Sequence, residues 1–588
     1  MQQGRHYDVV IVGAGMAGLC LCRQLELESG GSKSILILDN RPDLPGKKQK
    51  VGESLVQVAG YYLTRMLDLE QHLLEEQFPK FNLRFHWKTS GSDNRDLEDY
   101  ARSYIGKSSN VATYQVNRNT LECHLLDLVR GSGQVRLANP ILNLDVRLSD
   151  AGPHTVAFDR NGVREEVTAG WVVDASGRAQ LFKKRQNLKA DVSIRHGSSW
   201  CWVEGLVDIE RLTELPRKEL RRRRDLNRAG LFPFWLATNH FCGEGFWFWI
   251  IPLKGMTSLG IVFDSSLVPF EEVSSAEKLI AWICREFPLF ERDLPKRRII
   301  DSARLAEYSY DCRRTISASR WAISGMAGRF SDPLYSPGSD LIAYYNTIIV
   351  DAILEKDPEQ LRMKAELYEA LMKVVFDAYV PSYSMSYDAL GDQETFTMKY
   401  AWELAVYFTF YAYPFINDLF TNVRFVKFFF RKFAQLGPVN RSVQQCLTDY
   451  YQWKKLRPSQ SSALAYDFLD LTPLKKAEMT YYQVSPNEDH AEETLEGHLR
   501  SMREFARYLF AYVSSVVLED PRVLLNRGFV ESIKLNSWRL DPEALRAAYA
   551  PHAGCAETCE WGLNPLAMEV FRPQSAPMHA DAETGVPA

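Results

Sequence analysis

The chain has 588 residues and a mass of 67.4 kDa, more than one hydrophobic core usually organises and, at about 150 residues per domain, suited to three or four units. Hydrophobic residues at 46% and charged residues at 24% exclude general disorder, collagen and coiled coil. A net charge of -4 removes any global electrostatic reason to expect nucleic acid binding.

Residues 7–12 form a short apolar run ending at a glycine cluster, and an apolar helical pattern follows over residues 16–27. A second strand is predicted over residues 34–38, closed by Asp39 and then Asn40, which completes a unit of βαβ size. The start of the chain has no A-x-A cleavage pattern, and the ten cysteines are scattered, with Cys20 and Cys22 inside the helical pattern. Both features predict a cytoplasmic, reducing environment. Between residues 78 and 263 the pattern changes to alternating strands, including Leu83–Trp87, Val135–Ala138, residues 155–158 and residues 246–251, read as an antiparallel sheet inserted into the first domain.

Residues 321–345 return to strand, glycine turn and helix, and beyond Ile353 the chain is helical and aromatic to about Arg546. The apolar stretch 404–417 is interrupted by Pro414 and is shorter than the ~20 residues of a membrane span, so no transmembrane segment is expected. Residues 424–433 mix cations with phenylalanines at helical spacing; a buried helix with snorkelling cations is favoured over a membrane-surface helix. His552, Cys555 and Cys559 supply three candidate ligands without the paired spacing of a structural zinc site, and no metal is expected. The basic run Arg217, Lys218 and Arg221 to Arg224 reads first as a solvated helix face and second as a dock for an acidic carrier protein. From residue 573 the composition has too little apolar surface to offset ordering entropy.

Gly13, Gly15 and Gly18 fit G-x-G-x-x-G, with Ala14 and Ala17 between them. The first glycine permits the tight turn, the second admits a pyrophosphate to the backbone, and the third lets helix and strand pack closely. The helix N-terminus then faces the phosphates, and Asp39 is placed to bond a ribose hydroxyl. Four further motifs follow in order: Gly52, Glu53 and Ser54 in VGES, Arg118 in VNRNTLE, Asp174, Ala175, Ser176 and Gly177 in DASG, and Asp332, Ser336, Pro337 and Gly338 in DPLYSPG. Over roughly residues 5–350 they resemble the FAD-dependent aromatic hydroxylase superfamily. The resemblance implies FAD as cofactor, with the late D-P turn and its helix over the flavin ring.

Trp247, Trp249, Ile251 and Pro252 reproduce W-x-W-x-I-P, and on that motif the chain resembles the flavin-dependent halogenases, tryptophan halogenase-like. The resemblance implies that Trp247 and Trp249 line a wall between flavin and substrate. It also singles out Lys80, in PKFNLRFHW, as the group that passes hypohalous acid to the substrate by hydrogen bonding or as a haloamine. The flavin turn departs from the tryptophan halogenases: Tyr335 stands where they have a glutamate. Pro337 brings no N-H to a turn whose backbone is implied to hold halide, so the expected halide site is one donor short.

The expected fold is α/β: a Rossmann-like FAD-binding domain with an inserted antiparallel β-sheet substrate domain and a helical C-terminal region. Its parts are an FAD-binding βαβ module (residues 1–77), a mixed FAD-binding and antiparallel segment (78–300), the FAD-binding return (301–353), a helical region over the substrate chamber (354–572) and a disordered tail (573–588). The expected function is a flavin-dependent halogenase of secondary metabolism. It would use FAD reduced by a separate flavin reductase, oxygen and chloride or bromide, on an electron-rich phenol or pyrrole, free or tethered to a carrier protein. The rivals are an FAD-dependent monooxygenase or dehydrogenase that uses no halide, and a catalytically silent flavoprotein partner of a biosynthetic assembly line. The sequence leaves substrate identity and oligomeric state open.

Overall fold

A computed structural model describes residues 5–106, 109–226, 233–457, 465–467, 472–483 and 486–561. The predicted tail lies outside the described residues.

Two eight-stranded sheets organise the chain. In the first, the strands run Ile316–Ser317, Trp321–Ile323, Val163–Asp174, His6–Val12, Ile35–Leu38 and Val135–Ala138, with His154–Arg160 and then Leu142–Arg147 branching from Val163–Asp174. The pairings about His6–Val12 are parallel, with Val12 level with both Asp174 and Leu38. A strand buried on both faces reads as a continuous apolar run, and Ile35–Leu38 (ILIL) is fully buried. The motifs at Gly13, Asp39 and Asp174 therefore leave the sheet together at its C-terminal edge, where open parallel sheets bind ligands.

The second sheet runs Ile299–Leu305, His196–Glu204, Met256–Asp264, Phe246–Leu253, Thr238–Gly243, Leu83–Trp87, Ala101–Tyr104 and Ala465–Asp467. It is antiparallel except where Leu83–Trp87 meets Thr238–Gly243 and where Ala465–Asp467 meets Ala101–Tyr104.

Two strands expected in the inserted sheet belong elsewhere. Val135–Ala138 lies parallel to Ile35–Leu38, and His154–Arg160 pairs with Val163–Asp174, both in the nucleotide-binding sheet. A four-residue apolar run carries no record of its partner, so the sequence located the strands and misplaced their sheet. The edge strand Ala465–Asp467 was also unexpected inside a region read as helical.

That region otherwise is helical as read, with Pro358–Ser384, Gln393–Val406, Val423–Lys455 and Glu488–Val517 as its long helices. In Val423–Lys455, Phe425, Phe429 and Phe433 are buried, while Arg424 reaches Glu488, Asp489 and Glu492 of the facing helix and Lys432 reaches Glu496. Two of its cations, Arg424 and Lys432, thus pair with a neighbouring helix, in keeping with the buried-helix reading. No helix among the described residues is long and apolar enough to cross a membrane.

Candidate active site

The glycine loop has the geometry its spacing predicts. Gly13 has φ +115°, and a Cβ there would stand 2.4 Å from the Ala175 carbonyl oxygen; a Cβ on Gly18 would stand 2.1 Å from the Gly13 oxygen. Neither position tolerates a side chain. At Gly15, by contrast, nothing lies within 4 Å of the Cβ position, and the same holds at Gly177, where φ is +60°. Two open backbone approaches at a sheet edge, one opening the helix Met16–Glu28, form a cradle that fits a dinucleotide pyrophosphate.

Asp39 closes this cradle. Its carboxylate accepts the Ala14 N–H at 2.7 Å and the Arg41 guanidinium at 2.8–2.9 Å. Burial opposes its charge, but these bonds outweigh burial and hold its pKa below the usual carboxylate value. Asn40 is exposed beside it. Ala17 gives its carbonyl to Asn346 at 3.1 Å, tying the glycine-loop helix to Pro337–Leu354.

Several motif residues brace the cradle from behind. Asp174 accepts the N–H groups of Ser176 and Phe182, fixing the DASG turn, while burial raises its pKa. Arg118 donates to the Val51 carbonyl at 2.9 Å and pairs with buried Glu122 at 2.8 Å, which also takes Lys50 at 2.5 Å. A Cβ on Gly52 would meet Arg118 at 2.8 Å, so that glycine serves the close approach. Glu53 accepts the Trp202 indole N–H at 2.5 Å, and burial raises its pKa to about 7.

Lys80 is reached by a short ribbon in which Phe78–Pro79 pairs with Tyr114–Gln115. Its backbone N–H bonds the Thr113 carbonyl at 2.8 Å, and Asn82, at φ +60°, turns the chain into Leu83–Trp87. This turn sends the lysine inward. The residue is 7% exposed, and its amine donates to Ser54 Oγ at 2.8 Å and to the Leu55 carbonyl at 2.7 Å. Burial lowers its pKa to about 7, with partial compensation from Asp340. Ser54, expected at the cofactor, thus directs its hydroxyl to Lys80 and to Thr238.

Lys80 lines a cavity of about 950 Å³, counted out to its mouth, together with Tyr335, Pro337 and Asp340. Further lining comes from the helical region: Tyr379, Tyr383, Tyr400, Glu403, Tyr407 and Tyr411. Tyr407 and Tyr411 lie on a π-helical stretch, Tyr407–Ala412, a widened turn of the kind often found at functional sites. Asp340, in the first turn of Pro337–Leu354, accepts the Ala59 N–H at 2.9 Å and has the Tyr407 hydroxyl beside it; burial raises its pKa to about 7.

Neither Trp247 nor Trp249 is among the residues lining this cavity. Trp249 donates to Ser258 Oγ at 3.2 Å, and its ring fills the space above Gly260, where a Cβ would come within 2.4 Å. Trp247 donates to the Tyr387 hydroxyl at 2.6 Å. Tyr387 stacks on His196 with centroids 3.9 Å apart, and His196 Nδ1 and the Tyr308 hydroxyl meet Asp332 Oδ2 at 2.7 and 2.9 Å. Asp332 caps the flavin turn by accepting the Leu334 N–H, so the tryptophan motif reaches that turn through a buried polar chain.

In the turn itself Tyr335 and Ser336 have φ +65° and +63°, a left-handed pair of non-glycine residues. The Ser336 N–H is taken by the Pro333 carbonyl, Pro337 opens the helix, and Gly338 packs toward Phe330.

No family model matches the chain. It is 25% identical over 455 residues to the flavin-dependent halogenase chlA of Dictyostelium discoideum, covering 71% of this chain and 73% of that protein. It is also 25% identical over 358 residues to the tetracycline 7-halogenase of Kitasatospora aureofaciens, covering 57% of this chain and 61% of that one. The chain is a homologue of the flavin-dependent halogenases. With these relatives it is an FAD-dependent oxidoreductase. The fold agrees: the halogenase PltM, solved with phloroglucinol and FAD, superposes with a TM-score of 0.58 over 85% of this chain and 98% of its own at 15% identity.

The motif reading missed four residues in or behind the wall of this halogenase homologue's cavity: Asp340, Lys399, Glu403 and Tyr407. Asp340 carried a faint signal, since an acid in a helix's first turn is ordinary. Lys399 and Glu403 carried a better one, an isolated i,i+4 pair in the otherwise apolar FTMKYAWELAV. Of the basic run, Arg217, Lys218, Arg221 and Arg222 are exposed on the helix Arg217–Leu226, and the side chains of Arg223 and Arg224 lie outside the described residues.

Proposed function

We propose that the protein halogenates an electron-rich aromatic ring of phenol or pyrrole type, using FAD reduced by a separate reductase, dioxygen and chloride or bromide. The observation that carries this reading is the position of Lys80: a buried amine facing a cavity that Tyr335 and Pro337 of the flavin turn also line.

FAD would be held by the backbone at Gly13, Ala14, Gly15 and Gly177, with Asp39 toward the ribose. In reduced form it supplies the electrons with which dioxygen oxidises halide to hypohalous acid. Because Pro337 has no N–H and that of Ser336 is occupied, halide contact falls to Gly338 and Ser339, whose first-turn amides have no intrahelical acceptor. Lys80, with a pKa of about 7, populates both ammonium and amine near neutrality. The ammonium donates a hydrogen bond to the oxygen of hypohalous acid, and the amine exchanges N–H for N–halogen with release of water. The ring carbon then takes the halogen and gives up its proton. The tyrosine wall excludes bulk water and presents aromatic faces to the ring. Substrate arrives free or on an acidic carrier protein, for which the exposed face of Arg217–Leu226 offers a dock.

Mass spectrometry of products from matched chloride, bromide and halide-free reactions tests this. The expected result is halogenated product only where halide is present, with Lys80→Ala abolishing it while FAD stays bound. Oxygen in the product with or without halide would instead establish a monooxygenase, the reading that Pro337 favours.

A further inference from the structure

Next to Tyr335 of the flavin turn, Glu403 is set up unlike an ordinary buried acid. Its side chain is 8% exposed, and Oε1 is saturated by the Lys399 ammonium at 2.6 Å and the Gln444 amide at 3.0 Å. Lys399 is fully buried and fixed by the Ser382 carbonyl at 2.7 Å and Ser386 Oγ at 2.8 Å, so the pair cannot swing away to solvent. The Tyr335 hydroxyl lies within reach of this carboxylate, yet neither it nor the other oxygen, Oε2, makes a hydrogen bond of acceptable geometry. A buried polar atom without such a partner costs about 1–3 kcal/mol, so two adjacent ones in the wall of a cavity mark a place prepared for a third group.

We propose that Glu403 Oε2 and Tyr335 Oη form the docking site for a phenolic hydroxyl, which makes the substrate class of the proposed halogenase phenols rather than pyrroles; the inference rests on that functional reading for its reaction. A phenol O–H is the one common ring substituent that matches both orphans, because it donates to the carboxylate and accepts from the tyrosine. A pyrrole N–H donates only, and an aryl methyl ether accepts only, and either leaves one buried atom unmatched. Discrimination of this kind, by unpaired buried groups in the wrong complex, is stronger than discrimination by apolar shape. The contact also activates the ring. As the phenol O–H bond lengthens, its proton moves to Glu403 Oε2 and the electron pair stays on the phenolic oxygen, which enriches the ortho and para carbons toward electrophilic halogen. The carboxylate returns the proton to solvent after the product leaves. Lys399 is a positioning residue here, acting only through Glu403.

The test uses the FAD-loaded full chain without reductant, halide or turnover, so its failure is distinct from failure of the halogenase assignment. Binding of 4-fluorophenol and 4-fluoroanisole is followed by fluorine NMR in the wild type, in Glu403→Gln and in Tyr335→Phe. Wild type is expected to bind the phenol at least about tenfold more tightly than the ether. Glu403→Gln is expected to remove most of that preference by weakening the phenol alone, and Tyr335→Phe, which deletes a single oxygen, makes the same measurement should the first variant fail to fold. Equal affinity of wild type for phenol and ether, or variants that lose both ligands in parallel, would overturn the proposal.

Discussion

Replacing Lys80 by methionine isolates the energetic cost of burying an amine in this cavity. In the unfolded chain the amine titrates at 10.5, and in the folded protein burial brings it to about 7. A folded pKa below the unfolded one means stability that is fully present above the unfolded value, falls as pH drops, and is entirely lost below the folded value. The displacement corresponds to roughly 5 kcal/mol between those limits. Methionine has similar length and no proton to lose; it gives up the bonds to Ser54 Oγ and the Leu55 carbonyl, at a cost of about 1 kcal/mol each. Lys80→Met is therefore expected to be more stable than wild type by about 3 kcal/mol near pH 6, and less stable by about 1 kcal/mol near pH 10. For 588 residues unfolding as one unit, the unfolding entropy is about 1.2 kcal/mol/K, so the melting temperature should rise by about 2.5 °C near pH 6 and that gain should reverse near pH 10. Thermal melts of the two FAD-loaded proteins over this pH range read it directly. A constant difference across the range would mean that Lys80 is solvated, and the buried-amine reasoning would fall with it.

Asp340→Asn should show the opposite pH sense. Burial raises Asp340 from 3.8 to about 7, so its contribution is present below the unfolded value and lost as pH rises through the folded one; the variant should gain on wild type by roughly 4 kcal/mol between pH 4 and 7 in the same melts. In the glycine loop, Gly15→Val should leave the melting temperature of the cofactor-free protein almost unchanged, since its side chain meets open space, yet lower FAD affinity by at least about tenfold in equilibrium dialysis. Gly18→Ala, with no room for its methyl group, should instead depress the melting temperature itself.

What the sequence made legible followed from constraints that act over a few residues. A glycine that must have no Cβ and an acid ending a strand are local facts, and Gly13, Gly18 and Asp39 stand where their neighbours implied, whereas the local pattern at Lys80 read as a surface lysine and only the resemblance singled it out. Partners across the fold were not legible. Val135–Ala138 joins the nucleotide-binding sheet because Ile35–Leu38 offers it a parallel edge, which its own four residues do not encode. The tyrosine wall escaped notice for the same reason: Tyr379, Tyr400 and Tyr411 come from separate helical segments and become a surface only when these pack together. Glu403 reads as a helix salt bridge until the burial of Lys399 and the unmatched Oε2 are known.

The tryptophan motif makes contacts that its sequence does not spell out. The resemblance implied that Trp247 and Trp249 separate flavin from substrate; neither lines the Lys80 cavity, and the ring nitrogen of Trp247 is committed to Tyr387. From Tyr387 the stacked His196 leads to Asp332, whose carboxylate sets the start of a turn containing two left-handed residues. Such a turn persists only if its surroundings over-determine it, at about 1–3 kcal/mol per strained residue, and the Trp247–Tyr387–Asp332 connection is part of that support. A brace and a barrier fail differently. Trp247→Phe removes one hydrogen bond, worth about 1 kcal/mol, without opening any space in the cavity, so coupling of flavin oxidation to product should fall severalfold while the sealing of the chamber is unaffected. Trapping escaped hypohalous acid with monochlorodimedone during turnover separates the cases. The brace predicts no more trapped halogen per flavin oxidised than in wild type, whereas a burst of trapped halogen from Trp247→Phe would restore the partition and refute the role argued from these contacts.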